Sequence, residues 1–318
     1  MSGRDAMQPA LGADLVCEAV RCACLGELQA MKPGNVSFYA DGHGMTAGDF
    51  ERSARAVAPL LSLPGLTVGE RIYSAIDATR GVAGCNTNLG IVLLCAPLAH
   101  AALHVRPGQT LQATLVETLE NLDEHDTALT YRAIRLARPG GMGVVQEHDI
   151  STKEPRASLL QVMAAAAHRD RIACQYAHAY ADVFEFAEPH LRARLNRWRS
   201  EPWAVVSVYL ALLAAFGDSL VERKHGLLVA HRLQLDAGYL GAQLDAQSEP
   251  AHMLERLSVF DRWLKRKGIN PGTTADLVVA ALLVKGLHDH MQTTGLAPVS
   301  GRETGSGCCF PPVLSLTT

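Results

Sequence analysis

The chain has 318 residues and a formal net charge of −3, from 29 Lys and Arg against 32 Asp and Glu. That balance leaves no cationic footprint for a phosphate backbone, and aromatics at 5% offer little for bases to stack on, so no nucleic-acid partner is expected. Hydrophobic residues at 48% and charged residues at 19% exclude an intrinsically disordered chain.

In chain order, residues 11–31 set Leu15, Ala19, Cys22 and the Leu25–Leu28 pair at helical spacing, and the helix is expected to stop at Lys32-Pro33-Gly34. A polar loop to about Thr46 follows, then a helix from Gly48 to Leu63 that ends at Pro64-Gly65. Thr67-Val68-Gly69-Glu70 reads as a capping box opening a helix to about Gly81. Residues 88–104 and 205–216 are apolar on every side, which belongs at the centre of a bundle. Further helices are expected at 110–121, 126–137, 157–168, 171–187, 225–245, 250–267 and 274–292. No period-2 alternation and no hairpin turn is visible. The fold class is therefore all-α: one multi-helix bundle with buried apolar central helices, a catalytic domain over 1–294 and a flexible tail over 295–318.

The apolar runs Leu89–Leu103 and Val205–Phe216 fall short of the roughly 18 clean residues of a membrane span, so no membrane is expected. The first 30 residues show no basic start followed by an apolar stretch, which makes the cytoplasm the expected location. The cysteines Cys17, Cys22, Cys24, Cys85, Cys95, Cys174, Cys308 and Cys309 form no C-x-x-C pair and read as reduced thiols.

Four polar stretches stand out, each also readable as plain capping or surface. Lys32-Pro33-Gly34-Asn35 fixes a tight turn with a cation at its edge. Asn86, Thr87 and Asn88 cluster where a helix N-terminus offers free N–H groups to an anion. Asp218 and Glu222 are i, i+4, a pairing suited to Mg²⁺ or to a general base, with Arg223 and Lys224 as donors for phosphate. Thr273, Thr274 and Asp276 open a helix after Asn270-Pro271-Gly272. The run Pro139-Gly140-Gly141-Met142-Gly143 lacks a P-loop's lysine and spacing. His100 and His104 are i, i+4 without the intervening glutamate of a zinc helix, so surface or core packing is the favoured reading for them, and His288 and His290, two apart, point to different faces. No nucleophile elbow or dinucleotide fingerprint is present.

Taken in order, KPGNV, FERSA (Phe50–Ala54), GCNTNLG, FGDSLVERKHG and NPGTTADL resemble the triphosphoribosyl-dephospho-CoA synthase family across residues 14–292. The resemblance implies an all-helical enzyme that moves the 5-triphosphoribosyl unit of ATP onto a ribose 2′-hydroxyl of dephospho-CoA and releases adenine. It implies carboxylate help at the oxocarbenium-like ribose from Asp218 or Asp276. It implies triphosphate contacts from Lys32, Arg223, Lys224 and a Mg²⁺ on Asp218 and Glu222, with Asn86, Thr87 and Asn88 orienting phosphate or ribose. Gly34, Asn35, Thr273 and Thr274 complete the expected nucleotide contacts. Where citrate-lyase-linked members carry His-Lys after the NT, this chain has Asn88-Leu89, and where they read D-T-N it has Asp218-Ser219-Leu220, which marks a divergent branch. A related acceptor, such as the precursor of a methanopterin-like carrier, a hydrolase and a non-catalytic nucleotide-binding protein are the rival readings, and homodimerisation stays open. All of them require four distant stretches to meet at one cleft.

Overall fold

The computed structural model describes residues 11–139 and 156–296. Most of the glycine-rich run after Pro139, the tail beyond Leu296, and Cys308 and Cys309 lie outside them. Among the described residues there are fourteen α-helices and no strand beyond two isolated bridges, Ser37 with Ala40 and Gly42 with Met45. In order they are α1 (Ala13–Leu28), α2 (Ala47–Leu61), α3 (Val68–Ala83), α4 (Leu89–His104), α5 (Leu111–Glu120), α6 (Glu124–Ala137) and α7 (Leu159–Ala166). The second half holds α8 (Arg171–Ala177), α9 (Glu188–Trp198), α10 (Glu201–Phe216), α11 (Ser219–His225), α12 (Leu227–Asp245), α13 (Leu254–Arg266) and α14 (Gly272–Thr293).

Helices α4, α10 and α14 form the middle of the bundle, and α4 and α14 pack directly on each other. The apolar residues of α4 from Ile91 to Ala102 are all buried, as are those of α14 from Leu277 to Val284. Each such leucine or valine contributes about 1.5–3 kcal/mol on leaving water, which fixes these two helices inside whatever surrounds them. The expected capping box at Thr67 is present: Thr67 accepts the Glu70 N–H and Glu70 accepts the Thr67 N–H.

A proline in the middle of α4 sets the local detail around it. Pro97 has no N–H to give to the carbonyl of Leu93, one turn back. Tyr176 supplies the missing donor, its hydroxyl bonding Leu93 O at 2.7 Å, and Tyr180 bonds Leu94 O at 3.2 Å. To deliver both rings the chain turns between them, with Ala179 and Tyr180 in the left-handed region (φ 50° and 59°). That turn splits the single helix expected over 171–187 into α8 and a π-helix, Asp182–Ala187, which runs into α9. Helix α9 has no strong apolar stripe to announce it. Leu191 is buried in the core with Leu195 and Trp198 against it, and ion pairs join the polar side, Arg192 to Glu188 and Asp289, and Arg194 to Asp245 at 2.7 Å. No single helix among the described residues is long and apolar enough to cross a membrane.

Candidate active site

A cavity of about 1210 Å³ opens where α4, α6, α7, α8, α11 and α14 meet the loops before α2 and α14. Sites for one small ligand run to roughly 300–1,000 Å³, so this one has room for two nucleotide-sized molecules. Part of the lining is apolar, from Ile134, Leu159, Val162, Met163 and Ile172, a surface suited to a purine ring. Another part is cationic. Arg138, Arg169 and Lys224 line the cleft and make no ion pair among the described residues, while Arg223 pairs with Asp170 at 3.2 Å.

The two central helices both begin at this cavity. The first-turn N–H groups of α4 and α14 have no intrahelical acceptor, and their partial positive charge favours an anion. At α4 the asparagines divide the work. Asn86 caps the helix, its Oδ1 accepting the Leu89 N–H at 3.1 Å. Thr87 shares a 2.7 Å hydroxyl contact with Ser53. Asn88 stands at the N-cap without capping, and its Oδ1 is buried with no partner among the described residues. Thr130 Oγ1, in the α6 part of the lining, is likewise buried and unpartnered. Such atoms cost about 1–3 kcal/mol each unless something bonds them, and these two both lie in the cavity lining.

Asp276 sits in the first turns of α14 and lines the cavity. It makes no hydrogen bond or ion pair with any described residue. Its carboxylate rests on Gly90, where an added Cβ would lie 1.9 Å from Oδ2, so only glycine fits opposite it. Burial, then the negative charges of Asp218, Glu27 and Asp170, hold its pKa well above the ordinary carboxylate range.

Several residues expected to touch ligand lie behind the wall instead. Asp218 accepts four hydrogen bonds: Leu220 and Val221 N–H at 3.0 Å on Oδ1, Thr274 N–H and hydroxyl at 2.8 Å on Oδ2. Burial raises its pKa above the ordinary carboxylate value, and those bonds only partly offset the rise. With four donors on its two oxygens, Asp218 braces the starts of α11 and α14 rather than opening onto the cavity. Thr274 is the other half of that brace. Lys32 is fully buried, its Nζ bonded to the carbonyls of Glu27, Ala30 and Val36 and paired with Glu27 at 3.0 Å, so it cannot reach a triphosphate. Gly34, at φ 85°, packs on Pro271 and gives its N–H to Asp261 at 2.8 Å. Within the lining remain Asn35 (bonded to Asn270 at 2.8 Å), Asn86, Thr87, Asn88, Glu222, Arg223, Lys224, Thr273 and Asp276.

Over residues 13–295 the sequence matches the family described as CitG, ATP:dephospho-CoA triphosphoribosyl transferase. The chain belongs to this family. CitG enzymes carry the triphosphoribosyl group of ATP to dephospho-CoA, so ATP and dephospho-CoA are the substrates the family implies. A crystal structure from Archaeoglobus fulgidus, provisionally assigned as a triphosphoribosyl-dephospho-CoA synthase, shares the fold. It has 22% identity and a TM-score of 0.58, and the match covers 73% of this chain and 96% of that one. No curated protein matches.

The CitG-type cleft also holds residues not expected from the motifs, above all Glu27, Thr130, Arg138 and Arg169. Glu27 had a legible signal. It falls on the same α1 face as Val16, Val20, Ala23 and Cys24, where a carboxylate is out of place unless it has a purpose. The other three carry no local pattern. Among the described residues no three His, Cys, Asp or Glu side chains are grouped to hold a metal ion.

Proposed function

We propose that this CitG-family enzyme cleaves the N-glycosidic bond of ATP inside the cleft and passes the 5-triphosphoribosyl group to a ribose hydroxyl of dephospho-CoA bound beside it. The observation that carries the reading is the pairing of Asp276 with Asn88. One is an acid with no hydrogen bond to any described residue, the other an amide whose buried Oδ1 has no partner among them, and both are set at helix starts in a cavity large enough for both substrates. The triphosphate is held by Arg138, Arg169, Arg223 and Lys224 and by the open ends of α4 and α14, the charges that Lys32 does not supply. Adenine packs on the apolar wall, with Thr130 as a hydrogen-bonding partner for its edge.

The chemistry follows from which groups are charged. Breaking the C1′–N9 bond sends an electron pair to adenine, and a proton delivered to the ring makes adenine a better leaving group. Asp276, whose pKa is raised by burial and by the neighbouring acids, is placed to deliver it. Asn88 Oδ1 faces the ribose, where a carbonyl dipole stabilises developing positive charge. Mg²⁺ fits here as a companion of the triphosphate: Asp218 already accepts from four donors, and Glu222, exposed at the rim, is the carboxylate that would touch it. Bound there, the ion would neutralise phosphate charge and orient the tail.

Incubation with ATP, Mg²⁺ and dephospho-CoA, with adenine followed by chromatography, tests the assignment. Adenine released in step with a triphosphoribosylated acceptor is the expected result. Ribose triphosphate formed equally well without dephospho-CoA would make the enzyme a hydrolase.

A further inference from the structure

Glu27 is 3% exposed, in the last turn of α1. Glutamates are buried this deeply only when something holds their charge. Lys32 does so with an ammonium that is itself immobile, since three backbone carbonyls and one Glu27 oxygen surround its three hydrogens. The other Glu27 oxygen has no partner among the described residues. Glu27 lines the main cleft together with Asn88, Gly90 and Asp276, and also a small void of about 10 Å³ between it, Phe50 and Asn88. A pair serving the core alone would have both oxygens satisfied and no face on the substrate cavity. Here one oxygen is anchored and its twin is left for a ligand.

Resting on the triphosphoribosyl-transfer reading, we propose that Glu27 is the catalytic base that receives the proton of the acceptor ribose hydroxyl, and that Lys32 is the positioning residue that aims it. In the balanced step the C1′–N9 bond breaks and its electron pair goes to adenine, which takes the proton of Asp276. The acceptor oxygen forms the new bond to C1′, and its proton passes to Glu27. Solvent then takes the proton from Glu27 and supplies one to Asp276, restoring the carboxylate of the first and the carboxylic acid of the second. The two carboxyls thus have opposite duties at one site. Their environments agree: burial raises both, but Lys32 opposes the rise at Glu27 alone, whereas Asp276 faces three acids and no cation. Two unlike carboxyls at one site can divide the proton-donor and proton-acceptor duties between them.

The role of Lys32 also explains why a turn motif carries a lysine that never meets substrate. The turn Lys32-Pro33-Gly34-Asn35 is clamped by Tyr209, whose hydroxyl donates to Pro33 O at 2.8 Å, and by Gly34 against Pro271. The ammonium is therefore fixed from both sides of the bundle.

A buried ion pair kept only for stability can be replaced by apolar residues of similar size, whereas a base cannot. The test compares full-length wild type, Glu27→Leu/Lys32→Met and the isosteric Glu27→Gln in adenine release from ATP with dephospho-CoA. Both variants are expected to keep the ATP KM within about threefold and lose about 10²–10⁴ in kcat, the usual worth of a general base. Lys32→Met alone is expected to move the acid limb of the kcat–pH profile upward, because Glu27 then loses the cation that opposes the rise from burial, while Cys24, Tyr209 and Asp276 remain around it. Should the double variant not fold, Glu27→Gln decides. A folded variant lacking the Glu27 carboxylate with kcat within threefold of wild type overturns the assignment. Wild type that releases no adenine overturns the transfer reading, and the assignment with it.

Discussion

Asp276 carries a stability cost that its position explains. A carboxyl with no partner, desolvated by the cleft walls and facing Asp218, Glu27 and Asp170, binds a proton more tightly in the folded chain than in the unfolded one. Its contribution is intact below the unfolded carboxylate range, near about pH 4, and is lost as pH rises through the raised folded value. Asp276→Asn keeps the shape and removes the titration. The variant is therefore expected to melt above wild type at pH 8, by about 2–4 °C for each kcal/mol relieved, and to coincide with it near pH 4. Differential scanning fluorimetry across that range checks it, and a variant less stable than wild type at pH 8 contradicts it. Residue types alone pointed to Asp276 as an acid of interest, but not to its isolation. That depends on Gly90, which lies 186 positions away and leaves the space the carboxylate fills.

At the scale of elements, the same acid type in the third motif does the opposite job. Asp218 looked like a metal ligand because i, i+4 carboxylates share a helix face, yet Asp218 precedes α11 as its N-cap and points back into the protein. Asp218→Ala strips two caps at once and leaves the buried Thr274 N–H and hydroxyl unsatisfied, so it is expected to cost about 2–5 kcal/mol in urea denaturation. Asp218→Asn should be milder and should reduce activity only as far as α11 and α14 come apart. A fully stable Asp218→Ala with no turnover would put Asp218 back among the catalytic groups. The helices themselves were largely legible, since α4, α10 and α14 announce themselves by being apolar all round. Helix α9 and the break after α8 were not: α9 has Leu191 and ion pairs in place of a strong apolar stripe, and the break answers the needs of a proline in a neighbouring helix.

For the molecule as a whole, convergence has a simple cause. The two helices that must be buried on every side, α4 and α14, lie against each other, and both open at the same cavity. Their leading residues, Asn86 to Gly90 and Gly272 to Asp276, are thereby brought together from opposite ends of the chain. The KPGN turn joins them through the Asn35–Asn270 bond at 2.8 Å. Residues from four of the motifs thus line one cavity. Which of the motif residues face the cavity was not legible from the motifs, since a brace and a cavity-lining group can have the same side chain and differ only in the partners that the rest of the fold supplies.

The central claim is that the cleft, through Asp276, expels adenine from ATP. It is tested most directly by single-turnover adenine release with ATP and dephospho-CoA in wild type and Asp276→Asn, with ATP affinity measured alongside. The expected outcome is one adenine per acceptor modified in wild type, and unchanged ATP binding with release slowed by about 10²-fold or more in the variant. Release by Asp276→Asn within threefold of wild type would contradict it.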